Sequence, residues 1–569
     1  MQFLMIKKLN FLFSKQEKNQ SISLIFFIVI GMVLEVFGIA ILIPTISLLI
    51  NEDYFSDNSL YIKLAKTLES YGIHNLLYFF LASIFIIFLL KSIFQVFITY
   101  KQKKIVSTLS KNVGNKLYIG YISQPYLYFT EKNRSKVIHM IQTEMIHFFN
   151  FFESFIGLIA EVFITLAIYI LVLYVEPKGT LILTFFYLVA SILYFSLFQS
   201  RLKRWGEIRI NLDHSISKHI LESLGGIKNV IINNLTNNFI DYFNSKNLNK
   251  AKYSSYHLTA AQLPRIYFEF VAVTSIISFI ILLIYLGNSS ESLIIILTVF
   301  GAVSFKLLPS ANKIINYYQS LGYYTSSLNN IYKEIRSFRS NNTFDSAKIN
   351  DNFTLKDSIE VNNISFSYDK HKKLLDQISF KIKKGEIIGI KGPSGAGKST
   401  LIDIFTGLIK PDIGSIKCDG IDIHKDIKSW QSIIGYVPQS VYLIDDTIEK
   451  NITLNFSDLP INQTKIDQCL KKLDLYNWIN SHQQGIHLNV GDEGTKVSGG
   501  QKQRIGIASA LYKEPKILIL DESTNSLDIK TEKEIIKSLK QLSGNMTIII
   551  VSHKPSVLNH CDKVYSIKN

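Results

Sequence analysis

The chain is 569 residues long, 47% hydrophobic, 12% aromatic and only 19% charged, with a mean hydropathy of +0.20. This composition excludes a disordered chain, and three cysteines over such a length exclude a disulfide scaffold. A net charge of +16 suits nucleic acid or an anionic membrane surface, but residues 341–569 carry 30 basic and 27 acidic side chains, against 31 and 18 in residues 1–340. The apolar half is also the basic half, which points to a membrane and away from nucleic acid.

In chain order, residues 1–20 are basic and amphipathic and lack a small-residue cleavage site. They are expected to form an interfacial helix, not a removable leader. Residues 21–336 then hold six apolar stretches, near 21–50, 76–100, 148–175, 179–199, 264–287 and 292–314. Each is long enough to supply the ~20 helical residues that cross ~30 Å of hydrocarbon. The loop 101–147 carries Lys101, Lys103, Lys104, Lys111, Lys116, Lys132, Arg134 and Lys136 against Glu131 and Glu144. Loop 200–262 is basic too, whereas 51–75 sets Glu52, Asp53, Asp57 and Glu69 against Lys63 and Lys66. The positive-inside rule places both basic loops and both chain ends in the cytoplasm. These loops read as helical extensions of the spans, turning near 124–133 and 223–235. Leu60, Leu64, Leu68 and Tyr71 share one helix face, so an external helix is expected at about 59–71.

Charges within spans cost roughly 2.5–3.5 kcal/mol each on insertion scales, so each needs a reason. They are Glu35, Lys91, Glu153, Glu161, Arg265, Glu269, Lys306 and Lys313. In this topology Lys91, Arg265, Lys306 and Lys313 all fall on the inner half of the membrane. Lys306 and Lys313 are seven apart, on one helix face. Snorkelling to inner headgroups accounts for any one of them; four at similar depth suggest a cavity wall that meets an anionic headgroup. Glu35 calls for a basic partner that the sequence does not name.

A polar linker, 337–357, leads into alternating strand and helix patterns over 358–569. The buried run Ile387-Ile388-Gly389-Ile390 enters Gly392-Pro393-Ser394-Gly395-Ala396-Gly397-Lys398-Ser399-Thr400 and then an apolar helix. The glycines let backbone N–H groups point at a phosphate, and the helix N-terminus adds its dipole. Lys398 suits the terminal phosphates of a nucleotide and Ser399 suits Mg2+. A second buried run, 517–520, ends in Asp521-Glu522. There Asp521 is a candidate for a water-mediated Mg2+ contact and Glu522 for polarising the attacking water.

Between them lies Val497-Ser498-Gly499-Gly500-Gln501. With this run the sequence resembles the ATP-binding cassette of ABC transporters, and over its whole length the half-transporter exporters of that family. The resemblance implies an α-helical six-span transmembrane domain followed by an α/β P-loop ATP-binding cassette, using ATP and Mg2+. It implies that Tyr368 stacks on adenine, that Gln439 senses Mg2+ and that His553 contacts the γ-phosphate. It also implies that Asp528 lies in a loop at the dimer interface. In that family Ser498, Gly499, Gly500 and Gln501 of one chain close on ATP held by another, so a homodimer with two composite sites is implied. Val497, Ser509 and Asn525-Ser526 depart from the usual pattern without removing a catalytic group.

The runs Ala261-Gln-Leu-Pro-Arg265-Ile-Tyr and Lys306-Leu-Leu-Pro-Ser-Ala-Asn-Lys313, with Glu35, are similar to the bacterial lipid-linked oligosaccharide flippases of protein N-glycosylation. That resemblance implies a bacterial inner-membrane protein moving a polyprenyl-pyrophosphate-linked oligosaccharide from the inner to the outer leaflet. Lys91, Arg265, Lys306 and Lys313 would then bind the pyrophosphate. Export of another amphipathic substrate, such as lipid A, a peptide or a drug, shares every cassette motif and remains the alternative.

Overall fold

The structure, a computed structural model, describes residues 2–50, 63, 66–68, 70, 76–175, 177–285, 290–340, 353–368, 373–456, 460–523, 529–542, 544 and 546–567. Most of the expected external helix, the 524–528 segment with Asp528, and the Lys306 side chain lie outside them. The chain divides into two compact units, residues 1–124 with 129–345, and residues 125–128 with 346–569.

The first unit is helical: α1 (Gln2–Leu12), α2 (Lys15–Ala40), α3 (Leu42–Ile50), α4 (Leu76–Ile122), α5 (Tyr126–Glu131), α6 (Arg134–His139), a π-helical turn (Met140–Glu144), α7 (Met145–Val175), α8 (Pro177–Gly225), α9 (Ile227–Ile232), α10 (Thr236–Tyr285) and α11 (Ser290–Ser340). Residues 125–128, on the short α5 connection, group with the second unit. Ser14 starts α2 through a capping box, its Oγ accepting from the Glu17 N–H while Glu17 accepts from the Ser14 N–H. Among the described residues, five helical stretches are long and apolar enough to cross a membrane: Lys15–Ile46, Leu76–Ile122, Arg134–Tyr174, Gly179–Gly225 and Thr236–Ile281. The sixth expected span, 292–314, falls on α11, whose side chains at 290–306 are outside the described residues. The long helices pack lengthwise, α11 on α7 and α8, and α10 on α8. At Gly206 the approach is so close that a Cβ would stand 2.2 Å from the Tyr323 carbonyl oxygen.

Several buried acids in this unit come with cations, whereas Glu144, fully buried, has no hydrogen-bond partner for either carboxylate oxygen among the described residues. Glu35, 3% exposed, pairs with Lys91 at 2.9 Å. Glu161 accepts from Ser310 Oγ at 2.7 Å and faces Lys313 Nζ at 3.6 Å. Glu153 pairs with Lys103. Towards the far ends of the helices, Asp213 gathers Lys250 at 2.6 Å, His147 at 3.8 Å and Arg209 at 3.9 Å. The Arg209 guanidinium in turn lies over the rings of Tyr323 and Tyr324 and donates to Ser327 Oγ.

The second unit has two sheets. One is antiparallel, in the order β2 (Leu375–Lys383), β1 (Ser358–Phe366), β4 (Ile413–Cys418), β5 (Ile421–Asp422). The other is parallel, in the order β6 (Ile434–Val437), β7 (Ile517–Asp521), β8 (Thr547–Val551), β3 (Ile387–Lys391), β9 (Lys563–Ser566). β7 and β8 are buried at every position, as their unbroken Ile, Leu and Val runs require of strands covered on both faces. β3 and β7 both run up to the same edge, each paired with β8 between them. The phosphate loop and the Asp521-Glu522 pair therefore emerge side by side, as expected at the carboxyl ends of a parallel sheet.

Candidate functional site: the phosphate loop and its carboxylates

The loop between β3 and α12 (Lys398–Phe405) is shaped by its glycines. Gly395 and Gly397 adopt φ +80° and +87°, a region that side chains rarely enter. A Cβ on Gly392 would stand 2.8 Å from the Ile567 carbonyl oxygen. Lys398 begins the helix, and its ammonium donates to the carbonyls of Gly392 and Pro393 at 3.0 and 3.1 Å. The loop thus curls around its own lysine. Ser399 is exposed beside it, and Thr400 is buried.

Glu522 has the left-handed φ of +45°, strained for a residue with a side chain. Its N–H donates to the Val551 carbonyl at 3.0 Å, which ties the strained turn to β8. The turn brings one carboxylate oxygen to 3.7 Å from Lys398 Nζ and the other to 2.9 Å from Gln439 Nε2, which donates to it. Lys398, Glu522 and Gln439, far apart in sequence, therefore form one linked set.

Asp521 beside them is buried, and Tyr436 donates to its Oδ2 at 3.4 Å. Burial, followed by the neighbouring Glu522 charge, raises the Asp521 carboxyl above the usual carboxylate range. Asp403, on α12, is pushed up to about 6 by burial and then by Asp521. The Tyr436 phenol is raised as well, by burial first and by Asp521 second. Neither Asp403 nor Tyr436 carries a motif that marks it in the sequence. The available signals were weak: Asp403 is an acid in the apolar helix after the loop, and Tyr436 belongs to the Tyr-Val-Pro-Gln run.

These groups fit Mg2+. Carboxylate, hydroxyl and amide oxygens are hard ligands, and negative charge exceeds the single nearby lysine. Among the described residues no group of three or more His, Cys, Asp or Glu could cage a metal. That suits a cation held by a few protein oxygens, directly or through water, and completed by substrate phosphates. Ser399, Gln439 and Asp521 are the residues that would hold it.

The remaining expected residues sit around this centre. Tyr368 is 55% exposed, packs edge-on against Phe366 at 5.0 Å and places its hydroxyl 3.4 Å from Thr400 Oγ1. His553 is exposed just after β8 and lines a cleft of about 500 Å3 with Lys391 and Gly392. Ser498 and Gln501 are engaged with each other: they form the capping box that starts α13 (Gly499–Tyr512), with Gln501 Oε1 accepting from the Ser498 N–H at 2.8 Å. Among the described residues, no hydrogen bond or ion pair joins 498–501 to the phosphate loop of the same chain.

In the helical unit the four candidate cations are not equivalent. Lys91 is held by Glu35, and its side chain is 18% exposed. Lys313 is shared with Glu161, yet its side chain is 55% exposed. Arg265 is exposed on α10. The structure does not bring these three together through any contact among the described residues.

Residues 375–525 match the ABC transporter family. Several curated relatives align to the second unit. An uncharacterized ABC transporter ATP-binding protein of Bacillus subtilis is 37% identical over 217 residues, 38% of this chain and 37% of that protein. An ATP-dependent lipid A-core flippase of Francisella novicida is 35% identical over 219 residues, 38% of this chain and 36% of that protein. A putative multidrug export ATP-binding/permease protein of Bacillus subtilis is 35% identical over 217 residues, 38% and 37% of the two chains. The chain thus spans little more than a third of the length of these relatives. A solved bacterial Atm1-family ABC exporter with ATP bound superimposes with a TM-score of 0.75 at 20% identity, over 97% of this chain and 94% of that one. The fold is that of an ABC exporter, a helical region followed by a nucleotide-binding domain.

Proposed function

We propose that the chain is one half of an ATP-driven exporter that works as a homodimer in the bacterial inner membrane, with residues 358–569 in the cytoplasm. The observation that carries this reading is the Lys398–Glu522–Gln439 set at the mouth of a glycine-shaped phosphate loop. In that reading the loop N–H groups and Lys398 hold the β- and γ-phosphates, and Tyr368 supports the adenine. Mg2+ supplies charge neutralisation between the phosphates when bound. Glu522, oriented by Gln439, polarises the attacking water, and His553 faces the γ-phosphate from its cleft. Ser498–Gln501 of a second copy closes the site. Exchange of Glu522 for Gln keeps the side-chain shape and removes the base. Hydrolysis in E522Q is expected to fall at least about 100-fold while ATP stays bound. Undiminished turnover would take Glu522 out of this role.

For the cargo, the reading is an amphipathic lipid with an anionic head, and specifically a polyprenyl-pyrophosphate-linked oligosaccharide. Its support is two exposed cations per chain, Arg265 and Lys313, which a dimer doubles. Lys91 is better assigned to Glu35 than to a ligand. Lysine offers phosphate a point charge where arginine would offer a fork. The alternative is another amphipathic cargo such as lipid A, a peptide or a drug, favoured by the partial neutralisation of Lys313 and by the similarity of the second unit to a lipid A-core flippase and a putative multidrug exporter. Movement of a fluorescent polyprenyl-pyrophosphate glycan across vesicles containing the protein separates the two. Arg265→Gln with Lys313→Gln should abolish that movement and spare basal ATP hydrolysis. Unchanged movement in the double variant returns both residues to headgroup contacts.

A further inference from the structure

The helical unit contains a cavity that none of this uses. It lies within one protomer, between α7, α8, α10 and α11, and holds about 410 Å3, within the ~300–1,000 Å3 range of ligand sites. Along α7 it extends from Val172 to Val162, and along α8 from Thr180 to Ser191. Ten or eleven residues of helix make it about 15 Å long, parallel to the helices, and one leaflet of a ~30 Å hydrocarbon core has that depth. With the basic loops inside, the C-terminal end of α7 and the start of α8 face outward, so the cavity occupies the outer leaflet.

Its two ends differ. Towards the outer end, the Thr184 hydroxyl lies within donating distance of the Tyr169 hydroxyl, at 3.2 Å, and of the Thr180 carbonyl one helical turn above, at 2.7 Å. The deeper wall is Val162, Leu166, Phe268, Leu307 and Ile315, where Ser275 has turned its hydroxyl onto the Ala272 carbonyl at 2.8 Å. Thr165 is the exception at mid-depth, with a buried hydroxyl oxygen that has no hydrogen-bond partner among the described residues. Leu166 lines the cavity while 54% exposed, so the cavity is open to its surroundings.

We propose that this cavity holds one acyl chain of an outer-leaflet phospholipid, with an ester oxygen accepting from the Tyr169 hydroxyl, which Thr184 helps to position. Length, orientation and the placement of hydroxyls towards the outer end are those of an ester-linked chain hanging from the outer headgroup region. The proposal rests on the membrane-spanning reading above but on no step of ATP hydrolysis or cargo transport.

The test uses the full-length protein in vesicles of phosphatidylglycerol and phosphatidylethanolamine containing a phospholipid with a diazirine in its acyl chain. After illumination, labelled peptides are mapped by mass spectrometry. Labelling of 162–172, 184–191 and 268–276 should exceed that of the exposed α4 stretch 78–97 about tenfold, a gap of ~1.4 kcal/mol in occupancy. Ala272→Phe, which fills the cavity, and independently Leu166→Trp, which narrows its opening, should bring the labelling down to the α4 level. Tyr169→Phe with Thr184→Val should weaken it, whereas Thr165→Val should leave it unchanged or raise it. Equal labelling of cavity and α4, or cavity labelling that survives both filling variants, overturns the proposal. Loss of labelling in Thr165→Val also overturns it, because the occupant then carries a polar group at mid-depth. Covalent capture of a second copy at these residues would assign the cavity to the dimer instead. Labelling is read without ATP, so an inactive ATPase would leave this result standing.

Discussion

Three buried acids of the helical unit and three acids beside the phosphate loop are handled in opposite ways. In the helical unit Glu35, Glu161 and Asp213 are each 7% exposed or less, and each faces a cation: Lys91, Lys313, and Lys250 with Arg209. Beside the phosphate loop Glu522 faces Lys398 and a neutral Gln439, while Asp521 feels the Glu522 charge and Asp403 the Asp521 charge. Charge balanced where it stands is architecture, since breaking a buried pair strands an ion. Charge left in excess raises its own pKa and is satisfied only by something that binds. The excess therefore marks the catalytic site, and the buried Glu35–Lys91 pair is architecture even inside a membrane span.

The largest effect should come from mixing defective chains. If the excess charge of one copy is closed over by the signature of another, a K398A chain and an S498A chain fail separately but restore one complete site when co-assembled. ATP hydrolysis in the mixture should rise from background to a substantial fraction of the normal rate. Background activity in verified mixed dimers would mean that each chain completes its own site.

Removing one member of a balanced pair should be the next largest. Glu35→Gln leaves the partly buried Lys91 opposite a neutral group and should destabilise the helical unit by up to about 3–5 kcal/mol, whereas Glu35→Leu with Lys91→Met should cost less. Thermal unfolding in detergent reads both. Equal melting of E35Q and the normal protein would make the pair incidental.

The smallest and most diagnostic effect is pH-dependent. The Asp403 carboxyl is raised to about 6 in the folded protein, above its unfolded value near 3.9. The fold therefore favours its protonated form: nothing is lost below the unfolded value, and stability falls as pH rises through about 6. Asp403→Asn should stabilise the protein at pH 7.5 by on the order of 1–2 kcal/mol and change little at pH 4. Destabilisation at pH 7.5 would show that Asp403 is a structural acid, contrary to its place in the excess.

What could be read in the sequence follows the same division. The phosphate loop, Asp521-Glu522 and the Ser498–Gln501 cap are local: their geometry is set by residues within a few positions, as the positive φ of Gly395 and Gly397 and the capping box show. Partnership between distant residues was hidden. Glu35 and Lys91 lie on different helices, and only the register of α2 against α4 makes them meet. Likewise Glu161 on α7 finds Lys313 on α11. That is why four cations at one depth looked like a common belt when Lys91 was engaged elsewhere. Asp403 and Tyr436 were missed because their significance depends on the strand order that seats them beside Asp521.

A double dissociation tests the contrast most directly. Melting temperature without nucleotide and Mg2+–ATP affinity are measured for Asp521→Asn and Lys91→Met. The account predicts that D521N weakens Mg2+–ATP at least about tenfold, ~1.4 kcal/mol, without lowering the nucleotide-free melting temperature. K91M, which takes the facing ammonium from the buried Glu35, should lower that melting temperature and leave the affinity alone. A D521N protein that melts early yet binds Mg2+–ATP normally would contradict it.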